Sequence, residues 1–269
     1  MVSRPNCKIN LGLCVVERRP DGYHNLETIF YPIPLCDELQ VSEAQEDMME
    51  VKGIQLDGDV FDNLVWRVVT LLRKKEYAIP PIHVVLTKNV PSGAGLGGGS
   101  SDAAFMMKML NEMFRLNLSI TEMEQMVSSL GADCAVFIQN NPVFAEGIGN
   151  VFTPISLDLK GWYLVLIKPD DFISTREAYS AVVPQKPAHS LKELAQMPVE
   201  EWQGKMVNDF EKSVFPLHPT VESICRQLYD AGAAYAAMSG SGSSVFGLFR
   251  NPVSVEHLFS SHFTFCCQL

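Results

Sequence analysis

PSGAGLGGGSSDAA, running from Pro91 to Ala104, places five glycines within seven positions and follows them with two serines, an aspartate and an apolar pattern. Glycine lets a loop take positive φ and brings its N–H groups against a ligand with no Cβ in the way. A loop that only had to turn needs one or two such residues, and packing does not explain residues without side chains. Beyond the serines, Ala103, Met106, Met107, Leu110 and Phe114 recur at helical spacing, which predicts a helix from the serines to about Arg115. Its unpaired N–H groups and positive dipole end would face the loop, an arrangement that suits phosphate. Ser100 and Ser101 are candidates to cap that helix, or to reach a phosphate or a phosphate-bound Mg²⁺.

Two familiar glycine patterns fit poorly. Walker A needs Gly-Lys-[Ser/Thr], and here Gly99 runs straight into Ser100. Gly93, Gly95 and Gly98 do spell G-x-G-x-x-G. The Rossmann fingerprint, however, belongs in the turn after the first strand, with an acidic residue on a second strand about 20 positions later. Residues 118–124 look instead like the start of another helix.

The chain has 269 residues, 47% of them hydrophobic and 19% charged, enough for one large domain or two moderate lobes with a buried core. The opening MVSRPNCKIN lacks an apolar run of signal-peptide length, and no segment approaches the length of a membrane helix, so a cytoplasmic protein is expected. A net charge of −10 argues against nucleic acid or an anionic membrane as partner. Any anionic ligand must be met by local basic residues and backbone N–H groups. Cysteines at 7, 14, 36, 134, 225, 266 and 267 form neither a zinc pattern nor C-x-x-C and read as core thiols.

The first forty residues alternate as two strands, CKINLGLCVVE and NLETIFYPI, joined at Pro20-Asp21-Gly22. A helix should start from Asn63 as N-cap, and IHVVL at 82–86 should be a strand feeding the glycine loop. Thr121 and Glu124 form a capping-box pattern for a helix that would end at Gly131. Strands are expected on both sides of Gly147 and Gly149 and at 162–169, and helices near 191–196, 200–207 and 219–230. A second glycine-serine loop, Met238 to Ser244, leads into the strand VFGLF. Hairpins and helices without steady βαβα alternation indicate an α+β protein, with a change of lobe expected between residues 155 and 156.

Lys8 and Asn10 lie two apart on a strand and share a face. Lys8 alone reads as an edge-strand lysine that discourages aggregation, and Asp133 alone as a cap on the short helix after it. Beside two glycine loops, they also supply the parts of phosphoryl transfer: backbone donors, a cation for developing charge and a carboxylate for a hydroxyl proton. Tyr23-His24 follows the Pro-Asp-Gly turn, where an aromatic and an imidazole can meet a planar ligand, although such a pair is ordinarily packing and surface.

These residues resemble the GHMP small-molecule kinases. PSGAGLGGGSSDAA is similar to that family's central motif. KINLGLCVVERRPDGYHNLETIF, GADCAVFI, FAEGIG, NDFE and MSGSGSSVF are similar, in order, to its branch that phosphorylates a cytidine diphosphate-linked methylerythritol in the non-mevalonate route to isoprenoids. The resemblance implies a two-lobed α+β fold with mixed and antiparallel sheets, an N-terminal ATP-binding lobe over 1–155, a C-terminal substrate-binding lobe over 156–269, and the active site between them. It implies Lys8 and Asp133 as catalytic, and Pro91, Gly93, Ala94, Gly95, Leu96, Gly97, Gly98, Gly99, Ser100 and Ser101 around the phosphates of ATP. Asn63, Leu64 and Lys88 would line the adenine pocket, and Ser100 or Ser101 would help to hold Mg²⁺. Asn10, Tyr23, His24, Tyr179, Gly240, Ser241 and Gly242 would meet the small-molecule substrate, Tyr23 and His24 at the cytosine. The segment ISTREAYSAV departs from the family's proline pattern around Tyr179, and residues 184–205 match nothing in it. Rival readings are a GHMP kinase for another small alcohol, which has no use for Tyr23-His24, a noncatalytic metabolite-binding regulator, which could lose Lys8 or Asp133, and a dinucleotide oxidoreductase.

Overall fold

The computed structural model describes every residue except Asp57 and Glu256. The chain forms two compact units that interleave in sequence: residues 1–7, 35–92 and 97–141 make the first, and residues 8–34, 93–96 and 142–269 the second.

In the first unit, β1 (Val2–Ser3), β4 (Glu38–Glu43), β5 (Met48–Gly53) and β6 (Ile82–Lys88) form a mixed sheet in the order β1-β4-β6-β5. Its β5–β6 pair is parallel and the others antiparallel. Strand β6 alternates cleanly, with Ile82, Val84, Leu86 and Lys88 all buried, so the two-residue period delivers a lysine to the interior. Helix α1 (Leu64–Lys74) starts at Asn63 as expected, the Asn63 side chain accepting the Val65 N–H at 2.9 Å. It packs on α2 (Gly98–Met113), which also meets α3 (Ile120–Ser128) and α4 (Val136–Gln139).

Two expectations about caps are corrected here. Helix α2 begins two residues before the serines, with Gly97 as N-cap at φ 69° and no side-chain cap. Helix α3 is capped by Ser119 with Glu122 in a reciprocal box, and Thr121 lies inside it. The helix ends at Ser128, and Gly131 is not in a left-handed conformation.

The second unit holds two antiparallel sheets. One runs β2 (Asn6–Arg18), β3 (His24–Cys36), β7 (Val143–Glu146) and β8 (Val151–Pro154). The other runs β10 (Tyr235–Met238), β11 (Val245–Phe249), β9 (Tyr163–Lys168) and β12 (Phe263–Gln268). Helix α8 (Pro219–Asp230) covers β10 and β11, while α5 (Thr175–Tyr179), α6 (Leu191–Leu194) and α7 (Glu211–Val214) are short. The helix expected at 200–207 is only a 3₁₀ turn over Val199–Glu201. Hydrogen-bonded strands thus divide near residue 155, but packing does not: Leu13 and Val15 of β2 sit in one core with Val165, Ile167, Phe210, Ile224 and Val245. No helix among the described residues is long and apolar enough to cross a membrane.

Candidate active site

In the second unit, residues 93–96 of the glycine loop are held on both sides. From β2, the Lys8 N–H donates to the Leu96 carbonyl at 3.0 Å and Lys8 Nζ to the Gly95 carbonyl at 3.0 Å. From the second glycine-serine loop, Ser239 Oγ donates to the Gly95 carbonyl at 2.9 Å and the Ser244 N–H to the Ala94 carbonyl at 3.3 Å. Gly95 takes φ 73°, and a Cβ there would overlap the Ser239 carbonyl. No other residue fits. Gly240 closes on the same place, since its Cβ would lie 3.2 Å from Asn10 Oδ1 and 3.3 Å from the Gly95 carbonyl. At Gly242 a Cβ would meet Met238 Sδ at 2.7 Å and Ile173 Cδ1 at 2.9 Å, while Ser241 is half-buried.

Lys8 is 3% exposed, which removes the reading of it as a solvated edge lysine. Its ammonium lies 4.9 Å from the centre of the Phe30 ring and donates to Asn10 Oδ1 at 2.6 Å. The Asn10 amide is itself committed within the protein, because Nδ2 donates to Thr28 Oγ1 at 3.0 Å. Asn10, expected to touch substrate, also hydrogen-bonds Lys8.

His24 stacks on Tyr179, with ring centroids 4.9 Å apart and 24° between planes, and Phe210 meets the same Tyr179 edge-on at 4.7 Å. Tyr23 is 62% exposed, at the turn where Asp21 Oδ1 accepts its N–H at 3.1 Å. Around α5, burial works to lower the pKa of His218, but hydrogen bonds to Asp171 and Glu177, both 3.0 Å, prevail and raise it. The second loop is braced by NDFE. Asn208 Nδ2 donates to the Met238 and Gly240 carbonyls at 2.8 Å, and the Glu211 carboxylate accepts the Met238 N–H at 2.8 Å. Burial pushes Glu211 up to about 7.

In the first unit, the loop ends at Gly97 and opens into α2 with no side chain over its first N–H groups. Leu64 comes within 3.8 Å of where a Cβ on Gly99 would stand. A cavity of about 240 Å³ lies against the Asn63 cap, its lining mixing Val51, Leu56 and Val60 with Gln55, Asp59 and Asp62. Of the two serines, Ser101 is buried and its hydroxyl donates to the Asn6 carbonyl at 2.6 Å, while Ser100 is half-buried. Ser100 hydrogen-bonds the Cys134 thiol, which burial nonetheless pushes up to about 11. Asp133 is not the cap of α4, whose N-cap is Ala135.

Lys88 was expected to line the adenine pocket. Its ammonium is buried between the carboxylates of Asp37 and Asp102, the latter at 2.7 Å. Asp37 also accepts the N–H groups of Asn89 and Val90 at 2.6 and 2.8 Å, fixing the chain just before the glycine loop. Burial acts to lower the Lys88 pKa, but the two carboxylates raise it, and burial pushes Asp102 up to about 7. Sequence reasoning missed Asp37, Asp102, Thr28 and His218. For Lys88 the alternation of β6 was a usable signal, since a charge on the apolar face requires counter-charges.

The chain matches the family models described as GHMP kinases N terminal domain, over residues 63–141, and GHMP kinases C terminal, over 187–263. It is 53% identical to 4-diphosphocytidyl-2-C-methyl-D-erythritol kinase of Bacteroides fragilis, over the whole of both chains, and 53% identical to the kinase of the same name from Parabacteroides distasonis, again over both whole chains. A crystal structure of 4-(cytidine 5'-diphospho)-2C-methyl-D-erythritol kinase superposes with TM-score 0.82 at 29% identity, covering 99% of this chain and 98% of that one. Mevalonate kinase of Methanococcus jannaschii, at 16% identity and TM-score 0.66 over 100% of this chain and 98% of its own, shares the fold. Likeness of that extent, running from the first strand to the last, assigns the chain to the GHMP kinases, in the 4-diphosphocytidyl-2-C-methyl-D-erythritol kinase family.

Proposed function

We propose that this chain transfers the γ-phosphoryl group of ATP to the 2-hydroxyl of 4-diphosphocytidyl-2-C-methyl-D-erythritol, giving the 2-phosphate and ADP. The observation that carries the reading is the immobilised Gly95, where the approach of the Ser239 carbonyl excludes any side chain and a buried lysine is tied to the Gly95 carbonyl. A rigid main-chain cradle beside a fixed cation is what phosphoryl transfer asks of a protein, because that chemistry rests on positioning and electrostatics.

In this reading Asp133 accepts the proton of the substrate hydroxyl, and Lys8 offsets the charge that results. Residues 91–101 cradle the phosphates with backbone N–H groups and the open end of α2. Mg²⁺ neutralises phosphate charge when bound. The Ser100 hydroxyl and phosphate oxygens suit that ion, which takes few protein ligands and keeps much of its shell from phosphate and water. Asn63 and Leu64 take the adenine, for which the cavity against Asn63 has room. His24, with Tyr23 and Tyr179, takes the cytosine, and Gly240, Ser241 and Gly242 take the methylerythritol end.

The test is ADP release by the purified chain with and without 4-diphosphocytidyl-2-C-methyl-D-erythritol. Substrate-dependent turnover is expected, with Asp133→Asn lowering kcat by about two to four decades, the usual weight of a positioned base. Turnover equal with and without substrate overturns the substrate assignment. An Asp133→Asn enzyme of normal rate overturns the role given to that carboxylate.

A further inference from the structure

Thr28 and Ser239 are buried, take no part in the reaction as read above, and hydrogen-bond the groups that hold Lys8. At Gly12 the strand takes a left-handed φ of 65°, and the Gly12 carbonyl accepts the Thr28 hydroxyl at 2.5 Å. A hydroxyl has one proton to give. With that proton committed to Gly12, the Thr28 oxygen turns its lone pairs to Asn10 and accepts Nδ2 at 3.0 Å. An amide that donates on one side presents its oxygen on the other, where Lys8 Nζ donates at 2.6 Å. Ser239 closes the frame: its oxygen accepts the Asn10 backbone N–H at 3.1 Å and its hydroxyl donates to the Gly95 carbonyl at 2.9 Å, the acceptor that Lys8 also uses.

The two orientations of an asparagine amide occupy the same volume, so the partners choose between them. Turned over, Asn10 would set an NH₂ group against the ammonium. We propose that Thr28 and Ser239 are positioning residues for Lys8, Thr28 by fixing the Asn10 amide with its oxygen toward the ammonium and Ser239 by fixing the Gly95 carbonyl beside it. The inference rests on the catalytic role given to Lys8.

The experiment compares full-length Thr28→Val, which keeps shape and removes the hydroxyl, with Thr28→Ser, which keeps the hydroxyl. Thr28→Val should lower kcat about ten- to a hundredfold, the weight of a hydrogen bond to a charged group, with KM for ATP changed less than about twofold. Thr28→Ser should recover kcat to within about threefold of wild type, and Ser239→Ala should fall with Thr28→Val. Hydrogen exchange at the Asn10 side-chain amide, read by ¹H–¹⁵N NMR, should be slow in the wild type and Thr28→Ser and at least about tenfold faster in Thr28→Val. A Thr28→Val enzyme with normal kcat, losing only thermal stability, would show a packing role and overturn the proposal. So would Thr28→Ser as slow as Thr28→Val, or an Asn10 amide equally exposed in all three. Should the wild-type chain be inert toward the cytidyl substrate, the functional reading fails, and amide exchange still decides the hydrogen-bond frame.

Discussion

At Gly95 a left-handed backbone, a carbonyl overhead and two donors on one oxygen meet at a single residue. Gly95→Ala must bear the left-handed penalty, about 1–2 kcal/mol, and in addition push the Ser239 carbonyl away. We expect a loss above about 2 kcal/mol in urea unfolding, with turnover abolished because the cradle opens. Lys88 poses a different problem, since it stands alone between two carboxylates with almost no water. Lys88→Met leaves Asp37 and Asp102 facing each other, and equilibrium unfolding at pH 8 should register about 3–5 kcal/mol of destabilisation. At the opposite end of the proposed substrate, His24→Ala should raise KM for the cytidyl compound and leave that for ATP unchanged. Equal rises in both would remove base recognition from His24. Lys8 was legible from its place in an apolar strand, and Gly95 from the density of glycine around it. The true partner of Asn10 was not, because its amide is set by Thr28, 18 positions away, and its backbone by Ser239, 229 positions away. Local spacing holds no information about pairs so distant.

Strands and helices with a strong period were read correctly for a physical reason. β6 alternates, β2 and β9 carry continuous buried runs, and α1 carries an apolar stripe behind an asparagine cap. Other short or half-exposed elements, such as β4, β12, α5 and α7, carry too few periodic residues to stand out. The entry to α3 shows how pattern alone fails. Ser119-Ile-Thr-Glu122 and Thr121-Glu-Met-Glu124 are overlapping boxes of equal quality, and the fold uses the first, with Ser119 Oγ accepting the Glu122 N–H at 3.3 Å and Glu122 accepting the Ser119 N–H at 2.8 Å. Ser119→Ala should therefore cost about 1 kcal/mol of unfolding free energy. Thr121→Ala, inside the helix, should stay within about 0.5 kcal/mol, and the reverse order would restore the later start. Helix α2 likewise begins in Gly98 and Gly99, poor helix formers, because a Cβ on Gly98 would meet Val90 Cγ1 at 2.9 Å.

Over the whole molecule, three titrating groups act with one sign. Asp102 and Glu211 are each pushed up to about 7 by burial, so the folded state holds protons that the unfolded state has released. Between the ordinary carboxylate range near 4 and about 7, stability from these groups falls as pH rises. His218 is raised as well, and its contribution is present at low pH and lost as pH passes its folded value. Urea midpoints should accordingly be higher at pH 5 than at pH 8, and Glu211→Gln should flatten the slope. A midpoint that climbs steadily from pH 5 to pH 8 would contradict all three assignments. The interleaving of the two units has a practical consequence for engineering. β2 supplies Leu13 and Val15 to the core under α8, and its Val15 N–H is accepted by Asp209 at 2.9 Å. A splice at residue 155 would strip the downstream half of that strand, so chimeras meant to exchange specificity between relatives must carry the first hairpin across together with the tail.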